Sequence, residues 1–376
     1  MQGLVKGLTG LTKSKKVTYL LGTGAMRTAK TVDVALADGS SRTLEGRFVI
    51  IATGSTPRTI PGFAPGGPIM TSDEVLMLSS IPARIAVIGG GAIGCEFAST
   101  FADLGARVTI LEGLPKILPG LDEDVANVVV KSFKKKNIDI RTGVSVTGHT
   151  PNASGGTTVS FGEGESIEVD AVVVSVGRKP YSDGLHLANA GVAVSERGFV
   201  EVDGYCQTNV PGVYAVGDII NTPQLAHVAY AEAIVAVKHL LGETVYPVVY
   251  DRVPWAIYCH PEVAWSGPSE AEARAQGFDV VVAKHQFRAN SRAMILGETD
   301  GLVKVIAKKN PDGSAGQVLG VHMVGPWVTE QLSGGYLAVN WEATVEEIAE
   351  FIQPHPSLSE LFGETVMSMT GRSINA

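Results

Sequence analysis

Residues 84–112 constrain this chain more than any other stretch; they read RIAVIGGGAIGCEFASTFADLGARVTILE. An apolar run from Ile85 to Ile88 meets Gly89, Gly91 and Gly94 at G-x-G-x-x-G spacing. A helical pattern follows, then a second apolar run that ends in Glu112. Strand, glycine turn, helix, strand and acid, in that order, predict a parallel βαβ unit that holds a dinucleotide. Gly89 permits the tight turn, Gly91 leaves the main chain open to a pyrophosphate, and Gly94 lets the helix pack close on the strand. The start of the helix offers free N–H groups and a partial positive charge to phosphate. Glu112 is placed to accept hydrogen bonds from both ribose hydroxyls. Its charge repels a 2′-phosphate, so NAD is favoured over NADP.

A chain of 376 residues is too long for one core, so two or three domains are expected. The hydrophobic share of 45% and charged share of 18% are those of a soluble globular protein. No apolar run approaches the roughly 20 residues that span a bilayer. The net charge of −8 argues against nucleic acid or an anionic membrane as partner. Lys13, Lys15 and Lys16, and the run from Lys134 to Lys136, read as solvated faces, the second closing a helical pattern. Cys95, Cys206 and Cys259 are odd in number and far apart in sequence, which suggests free buried thiols in a reducing cytoplasm. Cys/His clusters with metal-ligand spacing are absent from the sequence. The opening MQGLVKGLTGLTKSKK lacks the pattern of a signal peptide and reads as the middle of something longer.

Along the chain, residues 17–54 show short strand patterns that predict an antiparallel meander running into a buried strand. That strand ends in small residues, Ala52-Thr53-Gly54-Ser55, and the Pro/Gly-rich segment 61–68 with the polar 72–74 reads as a linker. After Glu112 come an amphipathic helix over 121–136, short strands, and the unbroken apolar run 169–176, a strand covered on both faces. Residues 75–203 thus predict one doubly wound domain. Residues 213–216 form another short buried strand closed by Gly217-Asp218, and a carboxylate at that edge of a parallel sheet is where ligands bind. Beyond Val245 alternating strands mix with helical patterns at 269–276, 327–340, 345–351 and 358–369, an α+β domain. It carries His355-Pro356-Ser357-Leu358-Ser359-Glu360 just before its last helix. His355 is a side chain suited to proton transfer near neutral pH, with Glu360 in reach to fix its tautomer; an exposed histidine beside a capping serine is the bland alternative.

Together and in this order these segments resemble the flavin-dependent pyridine nucleotide–disulfide oxidoreductases, most of all the dihydrolipoamide dehydrogenase branch. The residues that carry the resemblance are Thr53-Gly54-Ser55, the glycine motif with Glu112, Val176-Gly177-Arg178, Val216-Gly217-Asp218 and Leu225-Ala226-His227. Downstream they are Tyr258 with the following His260-Pro261-Glu262-Val263, Ala289-Asn290-Ser291-Arg292-Ala293, Leu319-Gly320-Val321-His322 and the His355 to Glu360 box. The resemblance implies two Rossmann-like nucleotide-binding domains of α/β class, the first incomplete here, and a C-terminal α+β dimerisation domain. Residues 1–74 would be the remnant of the FAD-binding domain, 75–203 the NAD-binding domain, 204–245 a returning segment of the FAD-binding domain, and 246–376 the dimerisation domain. FAD would be held by Gly22, Thr53, Gly54, Ser55, Asp218, Gln224, Leu225, Ala226 and His227. NAD would be held by Gly89, Gly90, Gly91, Ala92, Ile93, Gly94, Cys95, Glu96, Glu112, Val146 and Gly177. His355 would be the base that takes a thiol proton, oriented by Glu360, in the partner subunit's site of a homodimer. The implied reaction oxidises dihydrolipoyl groups through a cystine and FAD to NAD⁺, with lipoyl domains of 2-oxoacid dehydrogenase or glycine cleavage complexes as partners, in the cytoplasm.

The sequence departs from that pattern at its start. The family's first βαβ unit with its own glycine motif and its C-x-x-x-x-C redox pair are absent, and no two cysteines are five apart. The expectation is a fragment lacking roughly the first hundred residues of the family pattern and inactive as it stands. A genuine truncated, non-catalytic NAD-binding dimerisation protein, or one completed by a separately encoded piece, are the alternatives. Glutathione-reductase-like NADPH enzymes are disfavoured by Glu112, and mercuric reductases by a C-terminus without a cysteine pair. A soluble transhydrogenase or another flavoprotein disulfide reductase stays open, although the His355 to Glu360 box favours the disulfide enzymes. Tyr181, Val228 and Gln353 stand where the family often has other residues, and none of them removes a proposed catalytic group.

Overall fold

The computed structural model describes residues 2–153 and 155–373 and divides into two compact units. One comprises residues 1–56 and 179–248, the other 57–178 and 249–376.

In the first unit a helix, Gln2–Ser14, precedes the antiparallel meander of Gly22–Thr28, Thr31–Leu36 and Ser41–Glu45. Sequence patterning misses the helix because its apolar positions Leu4, Val5, Leu8 and Leu11 face solvent. The expected buried strand is Val49–Ile51, which pairs in parallel with Val213–Ala215. The core of this unit gathers Met26, Ile51, Leu185, Val200, Cys206, Tyr214, Ile219 and Ala236.

The second unit contains two five-stranded sheets. The first is parallel, in the order Ile69–Met70, Ala171–Val174, Arg84–Ile88, Arg107–Glu112, Asp139–Thr142. Ala171–Val174 is buried at every position, as its unbroken apolar pattern requires. The stretch read as a linker is instead built into this sheet. Ile69–Met70 forms its edge, and Thr71 starts the helix Ser72–Val75 with a capping box completed by Glu74. The second sheet is antiparallel, in the order Trp255–Ile257, Glu262–Ser266, Ala315–Gly325, Leu302–Lys309, Val280–Gln286. Helices Val328–Asn340, Val345–Ala349 and Glu360–Ser368 bury Leu332, Val339, Val345, Phe362 and Val366 in a core with this sheet.

The two sheets of this unit share a core in which Cys95, Phe101, Val125 and Phe133 meet Ile257, Cys259, Val263 and Val324. A charged clasp reinforces it. Lys304, 4% exposed, lies 3.0 Å from Asp122, 2.8 Å from Asp124 and 3.0 Å from Glu270. Asp122 caps the helix Glu123–Lys135, and Glu270 opens the helix Glu270–Ala275. The acids therefore also sit at helix N-termini, where negative charge is favoured. Among the described residues no helix is long and apolar enough to cross a membrane.

Candidate functional site

The glycine turn forms as the spacing predicts. Gly89 has φ +106 and follows the strand Arg84–Ile88, and Gly91 caps the helix Ala92–Asp103 without a side-chain hydrogen bond. A Cβ on Gly94 would lie 1.9 Å from the Gly89 carbonyl oxygen, and one on Gly89 would lie 2.4 Å from that of Ser175. Both glycines are fixed by packing. A Cβ on Gly91 would meet nothing within 4 Å, so the space above the turn is open to a ligand. Gly90 is closed over by Ile117, 2.6 Å from a Cβ position. Ala92 and Ile93 begin the helix, and Cys95 is buried within it, its thiol pushed up by burial.

Glu112 is nearly buried and already engaged. One carboxylate oxygen accepts the Gly90 N–H at 2.5 Å, the other the Leu114 N–H at 2.7 Å. It ties the end of the second strand to the turn, and an ionised carboxylate keeps acceptor capacity for ribose hydroxyls beyond these two bonds. Glu96, one turn into the helix, accepts the Tyr258 N–H at 2.8 Å, and burial pushes its carboxyl up. Gly177, φ +105, accepts the Arg58 N–H through its carbonyl. Val146, half-buried, begins the strand Val146–Pro151. Ser175, which pattern reading passes over, donates its hydroxyl to the Ile88 and Gly89 carbonyls at 3.1 and 3.2 Å and so braces the turn.

In the first unit a second group assembles where the two parallel strands end, the edge at which ligands bind in such sheets. Ser55 donates its hydroxyl to Asp218 at 2.5 Å. Thr53 donates to the Tyr181 carbonyl at 2.8 Å, and Tyr181 N–H returns to Gly54, whose φ is +71 and whose Cα faces open space. Leu225 is the N-cap of the helix Ala226–Leu240 without a side-chain hydrogen bond, with Ala226 and His227 in the first turn. The Gln224 side-chain nitrogen is buried without a hydrogen-bond partner among the described residues, a donor left for a ligand oxygen. Gly22 is explained by its meander, since a Cβ there would lie 2.3 Å from the Ala35 carbonyl oxygen. Glu232, fully buried, accepts the Gly217 N–H at 2.6 Å and the Thr222 hydroxyl at 2.7 Å. A lone acid in an otherwise apolar helical run was its only signal in the sequence.

The third group lies just before the last helix of the second unit. His355 Nδ1–H donates to Glu360 at 2.8 Å, and the other Glu360 oxygen accepts the Ser357 N–H at 2.6 Å. The imidazole is 72% exposed while Glu360 is 21% exposed. A carboxylate on Nδ1 leaves Nε2 as the bare nitrogen, turned out to accept a proton. Cys206 and Cys259 are buried, which pushes both thiols up to about 12. Thiols so placed are poor nucleophiles. No group of three or more His, Cys, Asp or Glu among the described residues is arranged to hold a metal.

Sequence comparison gives two family matches. The pyridine nucleotide-disulphide oxidoreductase family matches residues 1–233, and its dimerisation domain matches residues 253–366. A dihydrolipoyl dehydrogenase of Cupriavidus necator is 36% identical over 376 residues, covering 99% of this chain and 78% of that protein. One from Haloferax volcanii is 39% identical over 386 residues, covering 99% and 80%. Among solved structures, LpdA from Mycobacterium tuberculosis superposes with a TM-score of 0.86 at 28% identity, covering 93% of this chain and 76% of that one. The HOCl-induced flavoprotein disulfide reductase RclA from Escherichia coli superposes with a TM-score of 0.85 at 26% identity, covering 92% and 78%.

Proposed function

Because this chain belongs to the pyridine nucleotide-disulphide oxidoreductases, which work with FAD and NAD, we propose that it is the NAD-binding and dimer-forming body of a dihydrolipoyl dehydrogenase. The observation that carries the reading is the His355–Glu360 pair, with its bare nitrogen exposed, beside a glycine turn whose acid is NAD-type. On this reading residues 1–74 and 204–245 serve FAD, 75–203 serve NAD, and 246–376 make the homodimer.

The turn residues fit NAD. Gly91 leaves room for a pyrophosphate, the helix Ala92–Asp103 presents its N-terminus to it, and Glu112 faces the ribose. Ser55, Asp218 and Gln224 fit the polar chain of FAD, which supplies the redox chemistry when bound. His355 holds the thiol proton at Nε2, and Glu360 stabilises the imidazolium that forms. Its exposure accords with service to another subunit. The apolar residues exposed on the dimerisation part of this unit, Trp341, Phe351 and Ile352, supply the contact surface. The cytoplasm and the lipoyl domains of 2-oxoacid dehydrogenase or glycine cleavage complexes complete the proposal.

A second reading, a non-catalytic NAD-binding dimer, is favoured by the absence of any C-x-x-x-x-C pair from these 376 residues and by the burial of all three cysteines. The purified chain separates the two. We expect NADH binding by fluorescence titration and a dimer by light scattering, with no stoichiometric flavin absorbance and no lipoamide-dependent NADH formation. A yellow, active preparation would refute inactivity of this chain, and absence of NADH binding would refute both readings. Joining the N-terminal part of the Cupriavidus necator relative to this chain tests the enzyme reading. There His355→Gln should lower dithiol oxidation about 10²–10⁴-fold and spare NADH oxidation by an artificial acceptor. Equal losses in both reactions would remove His355 from the proposed role.

A further inference from the structure

We propose that Asn290 is a positioning residue that holds His355 in its base-competent orientation; this rests on the reading of His355 given above. The segment that carries His355 is poorly anchored by its own main chain. Among the described residues, no main-chain N–H from 352 to 359 donates to a main-chain carbonyl. The His355 ring has one hydrogen bond, to Glu360, and is otherwise largely in solvent. What fixes the segment is side-chain chemistry.

Asn290 supplies it from a distant element. Its side chain is 6% exposed. Its oxygen accepts the Ala293 N–H at 2.9 Å and caps the helix Ser291–Leu296. Its Nδ2 donates to the Ser357 carbonyl at 2.9 Å. The Ser357 N–H in turn donates to Glu360, whose second oxygen takes His355 Nδ1–H. One residue, Ser357, is therefore pinned at its carbonyl by Asn290 and at its N–H by Glu360. Releasing the carbonyl lets the peptide swing and frees Glu360 from the position that selects the Nδ1–H tautomer. Free imidazole in water prefers the other tautomer, with the proton on Nε2, which cannot accept a proton from a thiol.

A cap alone would explain half of these contacts, so the test must separate the two roles. Asp caps as well as Asn does but has no donor for the Ser357 carbonyl. Asn290→Asp should thus keep the helix Ser291–Leu296 and lose the tether. In the purified 376-residue chain, ¹⁵N-histidine spectra at a pH where imidazole is neutral read the His355 tautomer, assigned through the resonance missing in His355→Gln. Wild type should show Nδ1–H, and Asn290→Asp should shift His355 mostly to Nε2–H. The Ser357 amide should exchange about tenfold faster or more, with the Ser291–Leu296 amides unchanged. Should Asn290→Asp fail to fold, Asn290→Ser, which also caps without reaching Ser357, carries the same expectations. An unchanged tautomer in a folded variant overturns the proposal, even if Ser357 exchange quickens. The tautomer is read without turnover, so failure of the base assignment, seen as equal losses in the His355→Gln assays, is a separate result.

Discussion

At the scale of single residues, Glu112 is engaged before any nucleotide arrives. Its two bonds to Gly90 and Leu114 make it a strut of the turn as well as a ribose partner. The glycines divide along the same line between structure and ligand. Gly94→Ala drives a methyl into the Gly89 carbonyl, which the close-packed strand cannot yield. We expect a loss of about 1–3 kcal/mol, a fall in Tm of about 2–4 °C per kcal/mol, with NADH binding lost in proportion. Gly91→Ala meets nothing and has an ordinary φ of −74. It should cost less than about 1 kcal/mol as a poorer cap yet weaken NADH roughly tenfold or more, a difference of 1.4 kcal/mol. Thermal melts and fluorescence titration of both variants check this, and equal NADH affinity in Gly91→Ala and wild type would put the pyrophosphate elsewhere. The glycines, Glu112 and the His355–Glu360 pair were legible because each acts within one local motif. Asn290 and Glu232 were not, because their significance comes from partners that only the folded chain brings near; Asn290 and Ser357 are 67 positions apart.

At the scale of elements, the helix Glu123–Lys135 was readable from its apolar period, its acidic first turn and its basic last turn. Its attachment to the antiparallel sheet through Lys304 was not, since the bond from Lys304 to Asp122 spans 182 positions. The linker expected over 61–74 failed for a related reason. A two-residue edge strand and a four-residue helix are too short to show a period, and the parallel partner Val172–Val173 gives them their form. The clasp has a defined pH window. Burial raises the Asp124 pKa, but hydrogen bonds from Lys284 and Lys304 outweigh it and hold the carboxyl below the usual range. Hydrogen bonding to Lys304 likewise lowers Glu270, with Arg274 adding to it. Burial opposes the Lys304 charge, yet the three acids keep its pKa above the ordinary lysine value. The buried His322, which donates to the Pro268 carbonyl, is held neutral by burial. Carboxylates depressed in the folded state stabilise it fully above their unfolded pKa of about 4 and lose that effect as pH falls further. A lysine raised in the folded state contributes fully below about pH 10.4 and loses it only above. Lys304→Met strands buried acids and should cost about 3–5 kcal/mol at pH 7. Its urea midpoint should then fall less than that of wild type as the pH is taken from neutral to below about 4. Parallel midpoint curves for the two proteins would mean that the clasp carries no net stabilisation.

At the scale of the whole molecule, the division into two units predicts unequal stability. The second unit buries two five-stranded sheets around a shared core. The first holds a three-stranded meander and one parallel pair, Val49–Ile51 with Val213–Ala215. Parallel strands are ordinarily covered on both faces; here Ile50 is 40% and Phe48 39% exposed, while Leu4, Leu8 and Tyr19 also face water. At about 25 cal/mol per Å² of apolar surface, such exposure withholds much of the burial that offsets chain entropy. Local opening free energies should therefore differ between the units. Hydrogen exchange measured on the whole chain should show the amides of Val213–Ala215 exchanging at least about 100-fold faster than those of Ala171–Val174, a gap of some 2.7 kcal/mol. Urea should melt the first unit at a lower concentration than the second, giving two transitions where a small single domain gives one. Val213–Ala215 and Ala171–Val174 are both short, parallel and almost wholly buried in side chain. Local sequence would thus assign them the same protection, and the difference arises from what surrounds each strand. One cooperative transition with equal protection at both strands would show that the units stabilise each other to a single stability, and would overturn the ranking.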